Sequence, residues 1–260
     1  MRREMSVAGT FYPRDAGEIL KYFNSFSSLF DKSSLQIQVK TRAVIVPHAG
    51  YVFSGYSANI AYRVLAKSDI KNFVVIGPSH RVAFDGVSMC ASSEYLTPFG
   101  PIEKSELIYK TLEKNFGLTQ IITHREHSTE VQFPFIKHYM KDAKIVELVY
   151  GSANASSLSK IIDMVLSLED CGVIISTDLS HFYNEEYANR IDNICIDAIK
   201  KLDTSLLHQG CEACGILGVE AIMLSAKVQK LSPIILDYRT SSDASGDESS
   251  VVGYMSACFV

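Results

Sequence analysis

The chain has 260 residues, 47% of them hydrophobic, and a formal net charge of −4 at pH 7. This length suits one large α/β domain over residues 1–260, which can fold without disulfides. Lysine and arginine are scattered, so no basic nucleic-acid-binding surface is expected. The sequence has no apolar run of the roughly 18 residues that a membrane helix needs and no apolar core of a signal peptide near its start. We therefore expect a cytoplasmic protein that has no membrane span and binds no nucleic acid.

Apolar strands alternate with helical patterns along the chain. Short apolar or β-branched runs predict strands at residues 42–47, 73–76, 87–91, 145–149, 173–176, 234–238 and 251–259. Helices are predicted by apolar spacing of three and four residues at residues 54–66, 105–115, 156–168, 185–202 and 215–228. Residues 96–101 are rich in turn formers, and residues 240–250 form one long polar loop. The alternation predicts a mixed, mostly parallel sheet with helices on both faces.

Polar side chains follow three of the buried strands directly. His48 comes after the first strand, His80 after the second, and Asp178 and His181 after residues 173–176. Ligands of open α/β sheets lie beyond the carboxyl ends of the strands. Two imidazoles beside an acidic or thiolate group can bind a transition metal. The alternative for each histidine is a hydrogen bond to its own loop.

His127 belongs to a polar segment before an apolar helical pattern. Ser128 could cap the helix there, and Glu130 could lie in its first turn. An imidazole titrates near neutral pH, so His127 could also move protons in a cleft. A simple helix-start motif remains the alternative.

Cys214 directly precedes Gly215, where the helix of residues 215–228 is predicted to begin. A helix N-terminus lowers the pKa of a thiol, and a thiolate is both a nucleophile and a metal ligand. A small buried residue and a cysteine–histidine nucleophile pair remain alternatives. Cys211 and Cys214 form a single CxxC, which is weak support for a zinc or redox site. We expect six free thiols and no disulfide between Cys211 and Cys214.

Several short motifs together resemble the Memo-like family. In chain order they are AGTFYP (8–13), VPHAGYVFSG (46–55), GPSH (77–80), EHSTEVQFPF (126–135), STDLSHF (176–182), ACG (213–215) and the ending at residues 238–259. They occur in order along nearly the whole chain. Each motif is weak alone, and their joint occurrence carries the resemblance.

The resemblance implies a fold similar to that of class III extradiol dioxygenases, which hold Fe²⁺ with two histidines and a carboxylate. His48 and His80 match the histidine ligands, and Cys214 matches the family cysteine near the position of that carboxylate. Asp178 and His181 match a further polar pair of the cleft, and His127 a histidine close to it. The cysteine departs from the dioxygenases: a thiolate favours copper or zinc more than a carboxylate does, and O₂ can oxidise it.

Two hypotheses follow. In the first, the protein is a metal-dependent oxidoreductase that acts on a small aromatic or carbonyl compound and binds iron (Fe²⁺), with copper or zinc as alternatives. His48, His80 and Cys214 would hold the metal; His181 and His127 would move protons, and Asp178 would orient a histidine or water. In the second, the same cleft binds a peptide or anionic ligand without turnover. Microbial relatives often accompany radical-SAM and AMMECR-type proteins, which the resemblance implies as pathway partners.

Overall fold

The computed structural model describes residues 1–33 and 37–260, which form strands and helices in alternation. The strands in chain order are β1 (Arg2–Arg3), β2 (Ala43–Val46), β3 (Asn72–Pro78), β4 (Val87–Cys90), β5 (Glu94–Tyr95), β6 (Ile102–Lys104), β7 (Thr119–Ile121), β8 (Lys144–Tyr150), β9 (Cys171–Ser176), β10 (His181–Tyr183), β11 (Pro233–Thr240) and β12 (Val251–Phe259). The α-helices are α1 (Ala16–Lys32), α2 (Tyr51–Leu65), α3 (Glu106–Asn115), α4 (His127–Glu130), α5 (Phe133–Tyr139), α6 (Ala155–Ser167), α7 (Glu185–Lys201), α8 (Thr204–Leu207), α9 (Ile216–Gln229) and α10 (Ser242–Ser245). A 3₁₀ helix, Ala66–Ser68, follows α2.

The predicted elements are present, with their ends shifted by a few residues. The polar segment of residues 240–250 is not one continuous loop, because α10 lies within it. The sequence patterns also did not identify α1, whose start is capped by the Asp15 side chain accepting a hydrogen bond from the backbone N–H of Glu18. An acidic N-cap of this kind satisfies a backbone donor that the helix itself leaves free.

The sheet is mixed, with a parallel centre. Its main path runs β1-β5-β6-β8-β3-β9-β2-β12-β10, while β11 pairs with β12, and β4 with β7 and β8. The central strands β8, β3, β9 and β2 are all parallel. Antiparallel strands flank them, with β12 beside β2 and β4 beside β8. The prediction of a mixed, mostly parallel sheet is confirmed.

The central strands are buried on both faces. Val74 and Ile76 of β3 point into one hydrophobic core, which they share with α6 and α9. Their neighbour Val75 and Val44 of β2 point into a second core, shared with α1 and α2. Successive side chains of a strand face opposite sides, so near-continuous apolar runs mark strands covered by helices on both faces. This accounts for the β-branched runs that made these strands recognisable.

The three strands followed by polar side chains are neighbours in the sheet. β9 lies between β2 and β3, and Val46 at the end of β2 pairs with Ser176 at the end of β9. The loops that carry His48, Asp178 and His80 therefore leave the same edge of the sheet side by side. The crowding of these loops follows from strand order, which the sequence alone did not establish.

The expectation of six free thiols is wrong. Cys195 on α7 is disulfide-bonded to Cys211 in the loop after α8, with Cα atoms 4.8 Å apart. Packing of α7 against α8 brings the two residues together, which a separation of 16 positions in sequence does not reveal. Cys214 is free, as expected, and so are the buried Cys90, Cys171 and Cys258. In the part of the chain that the structure describes, no helix combines the length and apolar character needed to cross a bilayer.

Candidate metal centre

The three residues predicted as metal ligands meet at the strand ends. The Nε2 atom of His48 lies 3.3 Å from Nε2 of His80 and 3.4 Å from Sγ of Cys214. All three donor atoms lie within 4.8 Å of one another. Ligands bonded to one ion at about 2.0–2.3 Å in a tetrahedron lie roughly 3.3–3.8 Å apart. Two imidazoles and a thiol at this spacing fit a transition-metal ion.

The ring of His48 is held in one tautomer. Its Nδ1 atom lies 3.0 Å from Oγ of Ser176. Ser176 donates its only hydroxyl proton to the carbonyl oxygen of Ser128, which can only accept. Ser176 also accepts a hydrogen bond from Nε2 of Gln132 at 2.9 Å. His48 must therefore donate from Nδ1, which leaves the lone pair of Nε2 facing His80 and Cys214. Such an outer hydrogen bond is how proteins orient a ligating histidine.

Asp178 fixes the position of the His48 loop and borders the centre. Its Oδ1 accepts the backbone N–H of His48 at 2.7 Å, and its Oδ2 lies 4.0 Å from Nε2 of the same residue. Burial raises the pKa of this carboxyl, although the hydrogen bond from His48 opposes the rise. Asp178 thus anchors the backbone of a candidate ligand and does not contact its ring closely.

Cys214 lies at the start of α9, as predicted, but its thiol is not activated there. Gly215 is the N-cap residue, and the backbone N–H of Asp178 donates to the Cys214 sulfur at 3.3 Å. Burial, followed by the charge of Asp178, raises the pKa of the Cys214 thiol to about 12. The backbone of Gly215 at the helix start does lower this pKa, as expected, but desolvation of the thiolate outweighs that effect.

His127 stacks on His80, with ring centroids 4.8 Å apart, and its Nδ1 lies 2.9 Å from Oε1 of Glu126. The other oxygen of Glu126 accepts the backbone N–H of His80 at 2.8 Å. Burial opposes ionisation of Glu126, but the hydrogen bonds from His127 and His80 prevail and lower its pKa to about 2. Glu126, which sequence reasoning assigned no role, therefore holds both histidines.

His181 lies on β10, paired with Val252 of β12. Burial and the charge of His127 lower the pKa of both His48 and His80, and a positive charge on His181 lowers each of them further. His181 therefore borders the same cleft, but it is not one of the three residues whose donor atoms converge.

Comparison with known proteins identifies the family of this chain. A family model described as Memo-like protein matches residues 3–258. The chain belongs to the Memo-like family. It is 36% identical to a MEMO1 family protein of Methanobrevibacter smithii, with all of both chains covered. It is 33% identical to a MEMO1 family protein of Aquifex aeolicus, with 99% of each covered. An uncharacterized Escherichia coli K12 protein of known crystal structure shares the fold, with a TM-score of 0.56 and 13% identity over 84% of this chain and 99% of the other.

One segment of this Memo-like chain, residues 126–132, supports the centre from the buried side. Glu126 caps α4 by accepting the backbone N–H groups of His127 and Ser128, so the cap is not Ser128 as the sequence suggested. Ser128 instead donates to the carbonyl oxygen of Pro78, just before the His80 loop. Glu130 is fully buried and forms an ion pair with Arg3 at 2.6 Å. It lies in the first turn of α4, as predicted, but its side chain belongs to a buried network.

A cavity of about 460 Å³ adjoins the His80 loop of the Memo-like chain. Its lining is mostly apolar and includes Ser79, beside His80, and Glu126. Arg81 and Arg125 also line it. Neither guanidinium has an ion-pair or hydrogen-bond partner among residues 1–33 and 37–260. The cavity therefore offers an apolar surface close to the candidate ligands, with the two unpaired guanidinium groups and the carboxylates of Asp85 and Glu126 in its lining.

Proposed function

We propose that this chain is a metal-dependent oxidoreductase in which His48, His80 and Cys214 bind a redox-active ion. The convergence of the three donor atoms within 4.8 Å carries the proposal. The lone pair of His48, oriented by Ser176, supports it. Two imidazoles and a thiol suit iron or copper, and also zinc. The bound ion would supply Lewis-acid and electron-transfer chemistry.

The residues around the ion would then handle substrate and protons. His127 shares a short contact with the carboxylate of Glu126 and stacks on His80, so it can pass a proton at the ligand. The raised pKa of Asp178 suits a group that holds a proton beside the centre. His181 borders the cleft on its β10 side. The adjacent cavity would take the apolar body of a small substrate, with Arg81 or Arg125 facing an anionic group.

The experiment combines metal analysis with a ligand variant. Protein purified without oxygen should contain iron or copper, and candidate substrates should then cause O₂ uptake. His80→Ala should abolish tight binding at this centre while changing the free energy of unfolding by roughly 1 kcal/mol, because His80 is exposed on a loop. His208→Ala is the matched control: His208 is exposed and contacts Glu220 away from the centre. Iron or copper bound to His80→Ala as tightly as to the parent would refute the ligand assignment.

A binding module is the second candidate, favoured by the two unpaired arginines of the cavity. In that case an anionic ligand or peptide would bind without turnover. The distinguishing result is an anion that binds His80→Ala and the parent equally well, with no O₂ uptake by either protein. Arg81→Gln and Arg125→Gln should then weaken anion binding.

A further inference from the structure

A second set of metal-ligand side chains lies away from this centre. Cys90 ends β4, Glu147 lies within β8, its antiparallel neighbour, and His124 precedes α4. Their ligand atoms, one from each residue, lie within 4.8 Å of one another. All three side chains are buried, with His124 only 5% exposed and the other two not at all.

Two polar atoms in this cluster are unsatisfied. Nδ1 of His124 and Oε2 of Glu147 lie 3.2 Å apart, which is ion-pair distance, but neither atom makes a hydrogen bond of good geometry among the described residues. Their other polar atoms are occupied. His124 Nε2 contacts Oγ of Ser88 at 3.1 Å, and Glu147 Oε1 accepts a hydrogen bond from Thr129 at 2.6 Å. Buried polar groups almost always have hydrogen-bond partners, and an ion bound by both atoms would satisfy this pair.

Two basic groups, Arg3 and His124, lie beside two buried carboxylates, those of Glu130 and Glu147. Arg3 is fully buried and forms an ion pair with Glu130 at 2.6 Å, while its Nε lies 3.5 Å from Oε2 of Glu147. Glu130 is further satisfied by the backbone N–H groups of Ser6 and Val7. The guanidinium of Arg3 thus pairs with two buried carboxylates, and its contact with Glu147 is the longer of the two. Burial opposes ionisation of Glu147, but Arg3 and His124 lower its pKa to about 2, so its carboxylate is ready to bind a cation.

We propose that Cys90, His124 and Glu147 form a second metal site that binds a divalent ion of the zinc type. One thiolate, one imidazole and one carboxylate are all ligands that Zn²⁺ accepts. Binding would release the proton of the Cys90 thiol to solvent, as metal binding to a thiol requires. His124 and Ser88 also line the 460 Å³ cavity, which gives the ion and a water ligand a route inward. The ion would tie β4, β8 and the loop before α4 together.

The test removes two ligands of the first centre and measures the metal binding that remains. The full chain carrying both His80→Ala and Cys214→Ser is stripped of metal under reducing conditions and titrated with Co²⁺ or Zn²⁺. We expect one equivalent to bind, and Co²⁺ to show thiolate-to-cobalt charge-transfer absorption. Zn²⁺ should also raise the Tm of this variant, because it binds the folded state only. A double variant that binds neither ion overturns the proposal.

Variants of the cluster then locate the ion. Adding Cys90→Ser to the double variant should abolish the remaining equivalent and the charge-transfer band. Cys171→Ser is the matched control, since Cys171 is another buried free cysteine outside both sets. Circular dichroism checks the fold, and His124→Gln answers the same question if Cys90→Ser unfolds. Retention of the band in a folded Cys90→Ser or His124→Gln protein would also overturn the proposal.

Discussion

The two three-residue sets differ mainly in their exposure. In the candidate centre, His80 is exposed after a parallel strand, and Cys214 is partly exposed at the start of α9. In the second set, Cys90, His124 and Glu147 are all buried beside Arg3. An open site lets a substrate reach a metal directly, whereas an ion in the buried set would be reached only through the adjoining cavity, which His124 and Ser88 line. Similar ligand types can therefore serve different purposes, and solvent access distinguishes them.

The two sets are joined by residues 126–130. The Glu126 side chain holds the His80 loop, while its carbonyl oxygen accepts a hydrogen bond from Arg3 at 3.1 Å. Thr129 donates to Glu147, and Glu130 pairs with Arg3. Residues 126–130 are thus held by the buried network on one side, and on the other side they border the candidate metal centre. The following variants separate the two regions.

Arg3→Met should have the largest effect on stability. It leaves the carboxylates of Glu130 and Glu147 buried without their cation, which should cost about 3–5 kcal/mol of the free energy of unfolding. Arg2→Met is the control, because the neighbouring Arg2 pairs with Glu94 at the surface. Loss of such an exposed pair should cost at most about 1 kcal/mol. Urea unfolding of the metal-free proteins measures the free energy of unfolding of both variants. Equal decreases in Arg3→Met and Arg2→Met would show that the buried network does not stabilise the fold.

Ser176→Ala should affect the open centre with less effect on the fold. It removes the acceptor for Nδ1 of His48, so the ring can adopt the other tautomer and lose the lone pair that faces Cys214. Removing such an outer partner typically weakens metal binding about 10–100-fold. The control is Ser225→Ala, since Ser225 is equally buried but donates to Asp163 on α6. Competition with a metal indicator gives both affinities, and unchanged affinity in Ser176→Ala would contradict the tautomer argument.

The same contrast explains what the sequence could predict. His48, His80 and Asp178 follow recognisable apolar strands, so their position at one sheet edge could be inferred from the α/β pattern. Ser176 was not recognised, because its role depends on contacts with Ser128 and Gln132, which lie more than 40 positions away.

The buried network was missed for a related reason. Arg3 lies in a short strand at the sheet edge, and Glu147 lies within an otherwise apolar run, KIVELVY. A charge inside a buried strand is a signal of a buried partner. The sequence cannot name that partner, because Arg3 and Glu147 are separated by 144 positions.

The smallest effect should come from Glu126→Gln, which tests the junction between the two regions through its pH dependence. The folded pKa of Glu126, about 2, lies below its ordinary value of 4.5, so its ionised form stabilises the folded state. That contribution is complete above pH 4.5 and is lost as the pH falls towards 2. The substituted amide would keep an acceptor for the backbone of His80 but would lack the charge, at a cost of about 1 kcal/mol at pH 7. Urea unfolding at pH 7, 5, 4 and 3 measures the free energy of unfolding of both proteins. The difference between parent and variant should become smaller only at pH 4 and pH 3. Glu103→Gln is the control, because Glu103 is exposed and pairs with Lys144 at the surface. If the difference in unfolding free energy between the parent and Glu126→Gln stays constant across this range, the charge of Glu126 does not hold the two histidines in place.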